Sequence, residues 1–185
     1  YGESGTGKTA FAATCPKPLL LLDLREKGTE TIAKVEDVDV LSIDTWDDFE
    51  EAFWMIDSDA KYETIVLDQI TALQGIAMDK IRVEGDMEPS DTFSKRDWGQ
   101  MSGLMQTWLM NYRNLWEKEK NVIFLAHQRT FGGEDDGGED QIEPSVGARL
   151  SPSVSSFMNG AVSVIGNTFI RERFEGKGDD KKRIV

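Results

Sequence analysis

The sequence predicts an α/β fold in which a mostly parallel sheet is covered on both faces by helices. Three observations predict it. A glycine-rich octapeptide opens the chain, short wholly apolar runs alternate with amphipathic stretches, and several of those runs end in a polar residue. Wholly apolar strands belong to sheets buried on both sides, and alternation with helices makes their neighbours parallel. Polar residues at the carboxyl ends of such strands are where open sheets bind ligands.

The opening segment Gly2-Glu3-Ser4-Gly5-Thr6-Gly7-Lys8-Thr9 fits G-x-x-x-x-G-K-[ST] in full, the Walker A pattern. Glycines let such a loop turn its N–H groups inward around a β-phosphate. Lys8 supplies a mobile positive charge for β- and γ-phosphate oxygens, and the Thr9 hydroxyl is a hard oxygen ligand suited to Mg²⁺. A helix from about Lys8 through Thr14, with Ala10 in its first turn, completes the expected nucleotide-binding set. A phosphate loop also needs a strand before it, of which Tyr1 is the last residue. The chain is therefore expected to be a single domain that begins inside itself, with its first strand truncated; it stops in a strand, so its C-terminus is read as cut too.

Pro16 and Pro18 bracket a turn, after which Leu19–Leu22 reads as a strand ending at Asp23. Val38–Ile43 is a second strand, and Thr45 followed by Trp46-Asp47-Asp48 starts a capped helix through Phe49, Phe53 and Ile56. Thr64–Asp68 is an apolar strand closed by a carboxylate, Ile70–Val83 a helix, and Glu84–Thr92 a loop broken by Gly85 and Pro89. Apolar residues recur at steps of three and four from Lys95 to about Lys118, including Trp98, Trp108 and Trp116, which predicts a long amphipathic helix with all three tryptophans on its core stripe. Val122–Ala126 is another buried strand, closed by His127 and Gln128. Gly132–Glu143 is rich in glycine and acid and is expected to be a disordered loop. Strands are expected at Ala161–Ile165, Thr168–Phe174 and Arg183–Val185, the last two forming a C-terminal hairpin through Gly176–Asp180.

Composition narrows the function. With 34 acidic and 21 basic residues the net charge is −13, so the surface as a whole repels nucleic acid and any DNA contact must be local. No apolar run approaches the roughly 18 residues that span a bilayer. One cysteine, Cys15, excludes an internal disulfide and fits a reducing, cytoplasmic setting. One histidine, His127, excludes His-rich zinc sites.

At the strand ends, Asp68 has the placement of a Walker B carboxylate that holds Mg²⁺ in its outer shell while Thr9 binds it directly. Glu26, after the strand ending at Asp23, is the candidate base for the attacking water. Gln128 is the preferred γ-phosphate sensor because a neutral amide bonds phosphate oxygen and water without a change of charge; His127 is the alternative. Arg129, Arg149, Arg171 and Arg173 are each able to stabilise transition-state charge, and the compact basic patch Lys181-Lys182-Arg183 could touch phosphates.

The order and spacing of Gly2–Thr9, the strand ending at Asp23, Thr64–Asp68 and Val122–Gln128 resemble phage-encoded ATPases with a RecA-like core, grouped among AAA-type domains and including the Sak group of single-strand annealing proteins and recombinases. The resemblance covers nearly the whole chain. It implies a RecA-like P-loop sheet in which Val122–Ala126 lies between the phosphate-loop strand and Thr64–Asp68, bringing Gln128 or His127 beside the γ-phosphate. It also implies a water-activating Glu two residues beyond the Asp, where this chain has Arg25 and then Glu26. The loop after the sensor strand of such recombinases binds single-stranded DNA; here that stretch is acidic.

The function expected is a Mg²⁺-dependent ATPase, acting as a homo-oligomer in phage DNA recombination or single-strand annealing, with ATP and single-stranded DNA as partners, in the host cytoplasm. The alternatives are an ATP-gated DNA-binding module with negligible hydrolysis, a P-loop kinase and a DNA motor ATPase.

Overall fold

The structure, a computed structural model, describes residues 1–131, 145–171, 173–175 and 182–184. Its centre is a four-stranded parallel sheet in the order β2-β1-β3-β4, with β1 at Leu19–Asp23, β2 at Val38–Ser42, β3 at Thr64–Asp68 and β4 at Asn121–Leu125. Every residue of β1 and β3 is buried, as expected of strands covered on both faces. The register sets Asp23 of β1 beside Asp68 of β3, so the two apolar runs end level with their carboxylates adjacent.

Period-two alternation divides the leucines between two cores. Leu20 and Leu22 join the larger one, with Ile65 and Leu67, under α2 (Trp46–Ser58), α3 (Ile70–Glu84), α4 (Lys95–Asn114) and α5 (Pro152–Ala161). Leu19 and Leu21, with Val66 and Leu125, form a smaller one under α1 (Lys8–Ala12) and the 3₁₀ turn Thr29–Ile32. Within the larger core Phe49 stacks on Tyr112 with ring centroids 4.6 Å apart, and the Tyr112 hydroxyl donates to the Phe49 carbonyl at 2.8 Å. The buried hydroxyl is thereby satisfied. Capping boxes start two of the helices, Thr45 with Asp48 for α2 and Ser94 with Asp97 for α4.

The sheet continues beyond β4 through the opening residues. Gly2 N donates to Ala126 O at 3.2 Å, Gln128 N donates to Gly2 O at 3.0 Å, and Gly2 also makes a parallel bridge to Thr168. β4 therefore lies between β3 and the segment that enters the glycine-rich loop, the strand order that the RecA-like resemblance implies.

Several expectations are corrected. The first helix ends at Ala12 rather than Thr14, because the N–H groups of Thr14 and Cys15 turn back to Phe11 and Ala12 in tight turns before Pro16. The long helix ends at Asn114 and tightens into a 3₁₀ turn over Leu115–Lys118, which rotates Trp116 off the stripe. Trp116 and Trp98 are exposed, and only Trp108 packs against the core, on Phe49 and Phe53. Ala161–Ile165 is not a strand: Ala161 closes α5, and Val164 and Ile165 lie exposed where no neighbour pairs with them. β propensity without a partner does not make a strand. Among the described residues of Thr168–Phe174, only the Thr168 bridge and the start of β7 (Arg173–Glu175) are extended pairings. β7 pairs antiparallel with β8 (Lys182–Ile184), the expected C-terminal hairpin. A further hairpin, β5 (Gln128–Phe131) with β6 (Ser145–Ala148), follows β4. Gly132–Glu143, Gly176–Asp180 and Lys181 lie outside the described residues.

Candidate active site

The glycine-rich loop leaves the sheet at Gly2 and returns as α1 at Lys8. Gly5 (φ 76°) and Gly7 (φ 82°) take left-handed conformations that other residues adopt at a cost, and the space where a Cβ would stand is open at both. Gly2 is glycine for a different reason: a Cβ there would stand 2.2 Å from Thr168 Oγ1 and 2.7 Å from Thr6 Oγ1. Glu3, Ser4 and Ala10 are exposed along the loop and first turn.

Lys8 is buried, and its Nζ donates to Glu3 O at 2.7 Å and Gly2 O at 3.1 Å. Burial lowers its pKa from the ordinary lysine value, against the raising influence of the nearby Asp68 and Glu26 charges. Thr9 Oγ1 donates to Asp68 Oδ2 at 2.7 Å, joining the end of the glycine-rich loop to the end of β3. Asp68 has its carboxyl pushed above the usual range by burial; the Thr9 hydrogen bond opposes this, Asp23 and Glu26 add to it, and Lys8 opposes it.

Glu26 reaches the site through a turn held by Asp23, whose Oδ1 accepts the N–H groups of Glu26 at 2.9 Å and Lys27 at 3.0 Å. Arg25 and Lys27 on either side have positive φ, 65° and 52°. Arg25 points away, its guanidinium bonding the Asp44 carbonyl and Asp79. The reversal turns Arg25 outward and Glu26 inward, so the charged position one beyond the expected one faces the loop. Glu26 Oε1 lies 3.3 Å from His127 Nε2, and His127 N donates to Thr71 Oγ1 at 3.0 Å.

Lys8, Thr9, Asp68, Glu26 and His127 thus meet at the carboxyl ends of β1, β3 and β4. Gln128 does not join them: its side-chain Oε1 accepts from Asn167 Nδ2 at 2.8 Å. Alternation along the chain sends successive side chains to opposite sides, and His127 takes the inward position. Gln128 instead lines a polar cavity of about 550 Å³ with Arg129 and Arg149.

The donor set suits a hard divalent cation. Thr9 and Asp68 present a hydroxyl and a carboxylate in direct contact, and the carboxylate is buried among like charges that a cation would offset. Among the described residues no three His, Cys, Asp or Glu side chains group closely enough to hold a metal by themselves, so Thr9 and Asp68 make only part of a cation's ligand set.

Sequence reasoning passed over four contributors: Gln69, Thr71, Asn167 and Thr168. Gln69 follows Asp68, is buried, and its Oε1 has no partner among the described residues. Adjacency to Asp68 was the available signal for it, whereas Asn167 and Thr168 carry none, being far along the chain. No helix among the described residues is long and apolar enough to cross a membrane. A family model described as AAA domain matches residues 1–181. Among curated proteins the chain has no match.

Proposed function

The chain belongs to the AAA domain family, and from that premise we propose that it is a Mg²⁺-dependent ATPase with a RecA-like core, hydrolysing ATP to ADP and phosphate. The observation that carries this reading is the Thr9–Asp68 hydrogen bond of 2.7 Å beside the buried Lys8. It unites the Walker A loop with the carboxylate that ends β3.

In this reading the loop N–H groups hold the β-phosphate, and Lys8 leaves the Gly2 and Glu3 carbonyls for β- and γ-phosphate oxygens. Thr9 and Asp68 would hold Mg²⁺, which would supply positive charge to offset that of the phosphates. Glu26 accepts the proton of the attacking water as its oxygen bonds to the γ-phosphorus and the bond to the β,γ-bridging oxygen breaks. His127, 3.3 Å from Glu26, is favoured over Gln128 as the group that registers the γ-phosphate. With Lys8 and the phosphate site on one side and His127 on the other, Glu26 is oriented before substrate arrives.

The resemblance supports a role in phage DNA recombination or single-strand annealing as a homo-oligomer. Single-stranded DNA is assigned to the cavity that Gln128, Arg129 and Arg149 line, a local cationic surface on a chain of net charge −13. The test is phosphate release from Mg²⁺–ATP with and without single-stranded DNA, in the wild type and Lys8→Ala. Release that needs Mg²⁺, rises with DNA and disappears in Lys8→Ala supports the whole reading. Release that survives Lys8→Ala refutes the site, and DNA-independent release removes the nucleic-acid assignment. ATP-dependent DNA binding without release would instead identify a nucleotide-gated binding module.

A further inference from the structure

Residues 166–168 lie across the entrance to the phosphate loop. Tyr1 N donates to Gly166 O at 2.8 Å, Thr168 N donates to Tyr1 O at 2.8 Å, and Asn167 Nδ2 bonds both Tyr1 O, at 3.5 Å, and Gln128 Oε1, at 2.8 Å. These contacts extend the sheet edge. One contact exceeds what strand pairing needs: Thr168 Oγ1 lies 2.8 Å from Thr6 Oγ1, inside the loop itself.

Proton count and distance together set its direction. Each hydroxyl has one hydrogen, and Thr6 donates its own to Glu3 O at 2.8 Å. Thr168 Oγ1 has two acceptors in reach, Thr6 Oγ1 at 2.8 Å and Tyr1 O at 3.4 Å, and the shorter contact makes it the donor to Thr6. The result is a chain from Thr168 to Thr6 to the Glu3 carbonyl, which also accepts from Lys8 Nζ at 2.7 Å. Hydrogen-bonded chains of this kind polarise and reinforce one another. The close approach depends on Gly2, since a Cβ there would overlap Thr168 Oγ1. Residues 163–167, 169 and 170 are exposed and only Thr168 turns inward, so its hydroxyl is not there to fill a core.

We infer that Thr168 is a positioning residue for the phosphate loop: its hydroxyl holds Thr6, and through Thr6 the Glu3 carbonyl, in the shape that receives the nucleotide's phosphates. The inference rests on the ATP-binding reading above and adds to it a residue remote in sequence that sets phosphate affinity without touching phosphate.

The test compares Thr168→Val, Thr168→Ser, Thr6→Val and the double Val variant for Mg²⁺–ATP affinity and for the split between KM and kcat, with hydrogen exchange at the Glu3–Gly7 amides. Thr168→Val should weaken affinity roughly two- to tenfold, the net worth of one hydrogen bond, raising KM and leaving kcat unchanged. Loop exchange should quicken, and Thr168→Ser should restore both. Thr6→Val, which also removes the bond to the Glu3 carbonyl, should lose at least as much, and the double variant no more than Thr6→Val alone, because Thr168 acts through the Thr6 hydroxyl. Wild-type affinity and exchange in Thr168→Val, or additive losses in the double variant, overturn the inference while leaving the ATPase reading intact. If Thr168→Val does not fold, Thr6→Val in the exposed loop carries the same comparison, and wild-type affinity and exchange there overturn it equally. A wild type that binds no Mg²⁺–ATP overturns both.

Discussion

Replacing Asp68 by Asn separates the two demands placed on that residue. The residue is 5% exposed, and its carboxylate lies near the Asp23 and Glu26 charges and accepts from the Thr9 hydroxyl. Its carboxyl is held above the usual range, so the sign follows directly. An acid with a raised folded pKa costs stability at pH values above that pKa, and the cost disappears as pH falls below the unfolded value. Asn retains an oxygen that accepts from Thr9 and removes the charge, so at pH 7 the unliganded variant should be the more stable protein. Relief of such functional strain amounts to about 1 kcal/mol, or about 2–4 °C in Tm for a domain of this size. Saturating Mg²⁺–ATP should reverse the order. At a hundred times Kd the wild type gains about 2.7 kcal/mol, roughly 5–10 °C, while the variant, lacking the carboxylate that holds the ion, gains a fraction of it. Calorimetric melting of both proteins, with and without Mg²⁺–ATP, reads the crossing. An Asp68→Asn variant that melts below the wild type without ligand, or that gains the same shift with it, refutes the reasoning.

Three further outcomes are expected. Glu26→Gln should lower phosphate release by about 100-fold or more with ATP affinity retained, measured by single-turnover hydrolysis alongside equilibrium binding. Gly2→Ala should cost about 1–3 kcal/mol by overpacking, because the new Cβ would stand 2.2 Å from Thr168 Oγ1 and 2.5 Å from its carbonyl; denaturant unfolding and ATP binding should both register it. Tyr112→Phe should cost about 1–2 kcal/mol in urea unfolding, since it removes the buried hydroxyl that donates to Phe49 O, and should leave nucleotide affinity unchanged.

Much of the framework was legible because it is written locally. The all-leucine run of β1 and Thr64–Asp68 of β3 are apolar on both faces, so they announce buried parallel strands, and the Thr45–Asp48 box announces the start of α2. The α5 helix was equally local and was passed over: Pro152 stands in its first turn, and Val154 and Met158, four apart, are buried. Hairpin β5–β6 had no such signal, because Gln128-Arg129-Thr130 shows no apolar alternation and its partner strand lies beyond the acidic segment.

At the site, motif spacing pointed to Lys8, Thr9 and Asp68, which chain geometry then brings together. Glu26 and Gln128 turned on a single step of backbone each. Left-handed Arg25 rotates Glu26 inward, and the parity of β4 sends His127 inward and Gln128 toward Asn167. Such steps depend on turn conformation and tertiary partners, which residue type alone does not set. Asn167 and Thr168 meet the loop more than 160 residues away in sequence, a pairing that no local pattern records.

The most direct measurement is the anomalous scattering of Mn²⁺, in place of Mg²⁺, in crystals grown with a non-hydrolysable ATP analogue. A single peak about 2.0–2.2 Å from the Thr9 hydroxyl, with Asp68 in its outer shell and the analogue's phosphates wrapped by Gly2–Lys8, is expected. A metal peak away from Thr9 and Asp68, or triphosphate density outside that loop, contradicts the assignment of this site to Mg²⁺–ATP.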